Sequence, residues 1–234
     1  LNGYTYTITP CSSAGTGSPT TSERIVAGGG KNIPFNEDFE QKENTEFFTI
    51  IDGNEDNYKW HWTDWPKSVS PKMEYYGGDS ADEWLITPNL KLKANQKYKL
   101  SFLTKLDFAT SPDYTRTLKV TIGEGNTVDE QNHILMSDIK VDYALYRTQE
   151  VIFQVDKDGY WNIGINCYQE TSSSSSIYID DIAVEEINMP ASVTELNATP
   201  DENGALAVTV SWINTTTSDT GLPINRLTKA ELYK

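Results

Sequence analysis

Three observations predict an all-β chain. Short apolar/polar alternations rich in Thr, Val, Ile and Tyr recur along the sequence. Clusters of Gly, Pro, Asn, Asp and Ser separate them, and no window carries an apolar stripe of 3.6-residue period. In order, the strand-like runs are Tyr4 to Thr9, Tyr98 to Leu103, Thr117 to Ile122, Thr148 to Val155, Tyr160 to Cys167, Ile177 to Val184 and Ala207 to Ile213. The segment from Glu130 to Asp142 comes nearest to a helix and reads as a helical turn or a loop.

Composition narrows the function classes. Asp and Glu outnumber Lys and Arg by 34 to 19, a formal charge of −15, so the surface repels phosphate backbones and nucleic acid is excluded as a partner. Thirteen Tyr and six Trp mark a chain that folds, because disordered chains of such charge are aromatic-poor. No apolar run reaches the roughly 20 residues that a transmembrane helix needs. Leu1 stands where Met would, and no signal-peptide pattern opens the sequence, so a processed or excised piece is expected. Cys11 and Cys167 are far apart and outside any metal-binding spacing; one disulfide or two free thiols both fit.

Two composition breaks divide the chain into residues 1–29, 31–188 and 190–234: the run Ala27 to Gly30 before Ile33-Pro34, and Asn188-Met189-Pro190 after a strand ending in Glu185-Glu186. Only the middle segment is long enough to bury a full core, and at ordinary spacing it needs roughly eight to ten strands. The flanks are too short to fold alone, since a lone two-stranded hairpin is marginal in water. At one end, Tyr6 to Pro10, then Gly15, Gly17 and Ser22, resemble strands F and G of a fibronectin type III module, with Leu1 and Tyr6 at its tyrosine corner. At the other, Pro190 to Val193, Val208 to Trp212 and Leu232-Tyr233 resemble strands A, B and C, with Trp212 as the core tryptophan. Half-modules leave open sheet edges, so the two flanks are expected to complement one another, within a chain or between neighbours. Neighbouring fibronectin type III modules are then partners of the middle segment.

The middle segment carries a more specific resemblance. It opens on Ile33 to Glu40, continues through Phe48 to Asp52 and a polar loop to Trp60, then Asp82 to Pro88 and Tyr98 to Phe102, and closes on Ile177 to Ile182. This order resembles the cleaved-adhesin domain of gingipain-type haemagglutinins, and is similar to MAM domains and to the jelly rolls of bacterial choice-of-anchor surface proteins. The resemblance implies a jelly-roll β-sandwich, secreted or surface-held, often calcium-bound and used in adhesion or carbohydrate contact.

In a jelly roll the first and last strands lie side by side. Phe35 and Phe39 share one parity and Asp38 and Glu40 the other. Asp180 shares its parity with Ile182 and Val184, so it is expected to point toward the core, where an acid is costly unless paired or metal-bound. Oxygen ligands from several strands suit Ca²⁺. The candidate ligands are Asp38, Glu40, Asp180 and Asp181, with Glu37 behind them; the alternative is acids that cap strand ends and face water. Asp52, Asn54 and Asp56 alternate like the first half of a calcium loop, without the sixth-position Gly or the distal Glu, and read equally as an Asn/Asp/Gly turn. The resemblance adds Asp52 to the same metal. Of the aromatics, Trp60 and Trp84 are expected in the core, whereas Trp65, Tyr75 and Tyr76, set among Pro, Ser, Lys and Gly, are candidates to stack on a ligand. The serine run Ser172 to Ser176 reads as a mobile hairpin tip.

No phosphate loop, HExxH, GxSxG or Cys/His pair occurs, so no catalytic residue is assigned and the chain is read as a non-enzyme. The expected function is a calcium-supported adhesion or carbohydrate/protein-binding module of a bacterial multidomain surface protein, with a glycan or a host or matrix protein as ligand. The alternatives are a ligand-free spacer and an accessory domain of a secreted hydrolase.

Overall fold

The computed structural model describes residues 2–22, 25–27, 29–66, 70–77, 80–110, 114–169, 175–200, 208–219, 221 and 224. Strand after strand follows the period-2 rule. In Lys97–Leu106 every second side chain is buried: Tyr98, Leu100, Phe102, Thr104 and Leu106 face in, while Lys99, Ser101, Leu103 and Lys105 face out.

Between residues 35 and 187 the strands are β1 (Phe35–Glu37), β2 (Thr49–Asp52), β3 (His61–Thr63), β4 (Lys72–Tyr75), β5 (Ala81–Ile86), β6 (Leu90–Leu92), β7 (Lys97–Leu106), β8 (Arg116–Gly123), β9 (His133–Val141), β10 (Arg147–Gln154), β11 (Gly159–Gln169) and β12 (Ile177–Ile187). A 3₁₀ helix, Lys42–Phe47, links β1 to β2. One sheet runs β10-β7-β12-β4-β3, with β1 also on β12; the other runs β9-β8-β11-β5-β2, with β6 on β11. Their inner faces share one core, in which Phe35, Leu100, Phe102, Ile182 and Val184 of the first sheet join Leu85, Leu118, Val120, Ile163 and Ile165 of the second. This is a jelly-roll β-sandwich, as expected. The first and last strands are neighbours: Phe35 pairs with Val184, Asn36 with Ala183 and Glu37 with Ile182, antiparallel. The segment 133–141, expected as a turn or loop, is instead strand β9 at the sheet edge, paired with β8.

One irregularity decides where the acids point. Ser101 pairs with Ala183 but Leu103 pairs with Asp180, so β12 holds one extra residue opposite β7. Asp181 takes it up with φ 49°. The bulge reverses the side-chain parity: Ile177 and Ile179 point into the core before it, Ile182 and Val184 after it. Asp180 therefore does not face the core with Ile182 and Val184 but lies on the outer face with Tyr178. The bulge also sits where the neighbour of β12 changes from β4 to β1.

The flanks form ribbons paired with themselves. Asn2–Tyr4 pairs with Ile25–Ala27 and Thr7–Ile8 with Thr20–Thr21; Thr194–Pro200 pairs with Val208–Ile213. Among the described residues the two ribbons do not pair with one another within the chain. Each satisfies its inner backbone groups in its own hairpin, so the expected complementation of the flanks is not found within the chain among the described residues. Trp212 is not a core tryptophan here: it is 37% exposed and its indole N–H donates to Asn214 Oδ1. Leu1 and Leu232-Tyr233 lie outside the described residues. The segment after the second ribbon is tied to the sandwich by the Lys97–Asp219 ion pair, and its Asp219 N–H donates to Met189 O in the break before the ribbon at 2.8 Å. Cys11 is exposed and Cys167 buried, both as free thiols. Of the serine run, residues 172–174 lie outside the described part, but Ser175 and Ser176 are buried, and the Ser175 hydroxyl donates to Phe108 O at 2.8 Å. Its end is therefore fixed rather than a free tip.

Candidate functional site

The predicted metal ligands fall into two separate places. At the junction of β1, β7 and β12, Asp38 and Asp181 line a recess of about 290 Å³. Asp38 accepts the Glu40 N–H at 3.2 Å, and Asp180 accepts the Asp181 N–H at 2.9 Å. Glu40 is close enough to help raise the pKa of Asp180, which burial first of all, and the neighbouring charges of Asp181 and Glu40, push up to about 7. Glu37 turns inward, where it accepts the Phe39 N–H at 2.9 Å, and burial raises its pKa. Asp180 is not without opposite charge. The structure places two cations near it: the register that pairs Met73 with Ile179 sets Lys72 beside Asp180, and Lys105 stands over the Tyr178 ring at 5.0 Å.

Asp52 does not join this group, because β2 belongs to the other sheet. Its cross-strand partner on β5 is Glu83, so both side chains project to the inner face. The loop after Asp52 folds back over them. Asp52 accepts the N–H of Asp56 at 3.1 Å and of Asn57 at 2.8 Å, and Asp56 accepts the N–H of Tyr58 at 2.8 Å. Gly53 is required in this turn: a Cβ there would lie 2.5 Å from Asp82 O. Asp52, Asp56 and Glu83 thus bring one carboxylate oxygen each to within 4.8 Å of one another, the one such group among the described residues. Glu83 is fully buried. Its Oε1 lies 3.5 Å from the Asp82 N–H and its Oε2 has no hydrogen-bond partner. Burial first, then the charges of Asp52, Asp56 and Asp82, push its pKa up to about 7. Three converging carboxylates, one with an orphaned buried oxygen, form a donor set that fits a hard divalent cation. The sequence reading missed Glu83. The available signal was its parity with Ala81 and Leu85, which puts an acid on the core face of a strand.

The aromatics also divide. Trp65 and Tyr76 are 72% and 53% exposed. Tyr75, expected to face a ligand, is instead fully buried: it belongs to β4, its ring centroid is 5.9 Å from that of Trp60, and the Arg116 guanidinium lies 4.9 Å over its face. No ligand reaches it. Its hydroxyl has no partner, so Tyr75→Phe is expected to leave stability within about 1 kcal/mol of the parent, or raise it, and to leave ligand binding untouched. Urea melts check the first point; a loss above about 2 kcal/mol would mean that the hydroxyl is bonded. Trp60 is core, as expected, while Trp84 is buried on the outer face of its sheet, covered by Lys119 at 5.0 Å.

On the outer face of the first sheet, β4, β7 and β12 and the connection between β9 and β10 enclose a groove of about 490 Å³. Lys72 and Asp180, 2% and 6% exposed, lie in its floor, and Tyr146 and Leu145 form one wall. The Lys72 ammonium donates to Trp65 O at 2.9 Å, which places the exposed Trp65 by the same lysine.

No protein-family model matches the chain, and no curated protein matches it in sequence. Solved structures do match its fold. The K1 and K3 cleaved adhesin domains of Lys-gingipain from Porphyromonas gingivalis W83 each superpose with a TM-score of 0.52 at 18% identity, over 64% of this chain and 96% of theirs. The CBM22-1 xylan-binding domain of Paenibacillus barcinonensis Xyn10C superposes with a TM-score of 0.47 at 14% identity, over 69% of this chain and 98% of its own. The jelly roll of this chain shares its fold with those gingipain domains.

Proposed function

We propose that this chain is a non-catalytic binding module of an extracellular or cell-surface protein, its loops supported by calcium. The observation that carries the reading is the groove on the outer face of the first sheet, where two nearly buried charged side chains and an aromatic wall surround open space. The gingipain domains of like fold are adhesin domains by name, which agrees with a binding role. Among the described residues, no helix is long and apolar enough to cross a membrane. Cys167 is no nucleophile, because burial pushes its thiol up to about 12.

Calcium belongs to the proposal at Asp52, Asp56 and Glu83. These three carboxylates would hold a divalent ion, whose positive charge would offset their mutual repulsion and fasten the 52–58 loop to β5. Asp180 and Asp181 line the outer groove instead, and Asp38 lines the separate recess beside β1.

The test is a screen of the full chain against a glycan array and a set of immobilised matrix proteins, with calcium present. Saturable binding in either screen is expected. A blank result in both would replace this reading with that of a spacer.

A further inference from the structure

The floor of the outer groove is set by register. Across β4, β12 and β7, Lys72, Asp180 and Leu103 stand in one row, because Met73 pairs with Ile179 and Leu103 with Asp180. The next row is Glu74, Tyr178 and Lys105. Lys72 and Asp180 act on each other through space but do not close into an ion pair. Two opposite charges brought this close on a nearly dry floor would normally join, because isolated buried ions are expensive. Here the ammonium gives protons to Trp65 O at 2.9 Å and Ser70 O at 3.4 Å. Its third N–H has no hydrogen-bond acceptor among the described residues. The result is a charged donor and a charged acceptor side by side, both at the edge of open space.

Resting on the reading of this chain as a binding module, we infer that the groove is a subsite for an uncharged saccharide, in which Lys72 and Asp180 take neighbouring hydroxyls of one sugar ring and Tyr146 packs against its C–H face. Each hydroxyl of a sugar both donates and accepts. A carboxylate and an ammonium set opposite one another on adjacent strands can each take one of two vicinal hydroxyls, and such charge-assisted bonds are the stronger kind. The charge balance selects the class. Lys72 and Lys105 face Asp180 and Asp181 in the same groove, so it is formally neutral in a chain of −15. An anionic ligand meets two carboxylates and the long-range field of the whole molecule; a cationic one meets two ammonium groups. A neutral polyol meets neither penalty. The wall supplies the apolar part: Lys105 lies 5.3 Å over the Tyr146 ring and props it at the rim, and Leu145 is 80% exposed beside it. A volume of about 490 Å³ lies within the range of small-molecule sites.

The experiment is isothermal titration of the full chain, with calcium, against cellohexaose, xylohexaose, mannohexaose and hexagalacturonate. At least one neutral hexasaccharide is expected to bind and the uronate to bind no better than tenfold more weakly. Asp180→Asn and Lys72→Met should each weaken the neutral ligand at least tenfold. Because both residues are nearly buried, Tyr146→Ala and the fully tolerable surface change Leu145→Ala are measured as well, with thermal melts to show that each variant is folded; a three- to tenfold weakening is expected. Neutral binding that none of the four variants alters overturns the subsite and leaves the binding module standing. Preference for hexagalacturonate overturns the ligand class. Matrix-protein binding with no saccharide binding overturns the inference alone, whereas no binding to either overturns the module reading with it.

Discussion

Chelation with EDTA is expected to lower the melting temperature of this chain, and millimolar calcium to restore it. An ion that binds only the folded state stabilises it by about 2.7 kcal/mol at a hundredfold excess over Kd, which for a chain of this size is about 5–10 °C. The residue that discriminates is Glu83. Without the ion its buried carboxylate faces Asp52 and Asp56 with one oxygen unpartnered. Glu83→Gln removes the repulsion and the charge together, so the chelated variant should melt higher than the chelated parent while losing most of the calcium response. That crossing of effects separates a metal ligand from an ordinary buried acid, whose removal shifts both melts alike. The control is Asp180→Asn. If it abolishes the response and Glu83→Gln does not, the ion sits at the strand junction with Asp38 and Asp181. If calcium moves neither protein, no ion is bound.

How much of this was legible beforehand depends on the range of the information. That Phe35 and Val184 lie on neighbouring strands was readable, because the motif order from Ile33 to Ile182 is that of a jelly roll and the alternation Phe35, Glu37, Phe39 is local. The direction of Asp180 was not. Parity counting assumes an unbroken pleat, and the extra residue at Asp181 is visible only once β7 is laid against β12. Asp52 was placed with the wrong acids for a similar reason: sequence spacing does not say which of two sheets a strand joins, and β2 joins β5 rather than β12. Tyr75 and Tyr76 are adjacent and chemically alike, yet one is core and the other solvent, because Tyr75 is the last residue of a strand whose inner face it shares with Met73. The row Lys72, Asp180, Leu103 joins three strands remote in sequence and has no local signature. The flanking ribbons were legible as strands and not as half-modules with a partner, since pairing beyond the hairpin needs a second surface.

The chelated protein should also be less stable at pH 8 than at pH 5, the reverse of the usual behaviour of an acid-rich protein whose carboxylates are paired. Glu83 and Asp180 both have folded-state pKa values near 7, raised from ordinary values of 4.5 and 3.8. The groups facing Glu83 are Asp52, Asp56 and Asp82; those facing Asp180 are the acids Asp181 and Glu40 and the cations Lys72 and, in the same groove, Lys105. Below about pH 4 both states are protonated and neither residue affects the balance. Between about pH 4 and 7 the unfolded chain has released these protons while the native state retains them, so the native state binds more and stability falls with rising pH. Above about pH 7 the native carboxylates ionise and the loss levels off, having reached on the order of 3 to 4 kcal/mol per group at most. The net charge of −15 acts in the same direction, because self-repulsion grows as the remaining acids ionise. Exposed Glu130 and Asp138, whose pKa values are lowered by hydrogen bonds from Thr127 and from Tyr168, act the other way, but at the surface such effects are small. Urea melts in EDTA at pH 5, 6, 7 and 8 measure the slope. Glu83→Gln and Asp180→Asn should each flatten it, and their double variant should flatten it further, since the two groups sit on different sheets and should contribute independently. A stability that rises from pH 5 to pH 8 in the chelated parent would show that these two carboxylates are ionised in the folded protein, and would remove the electrostatic reason for a cation at Glu83.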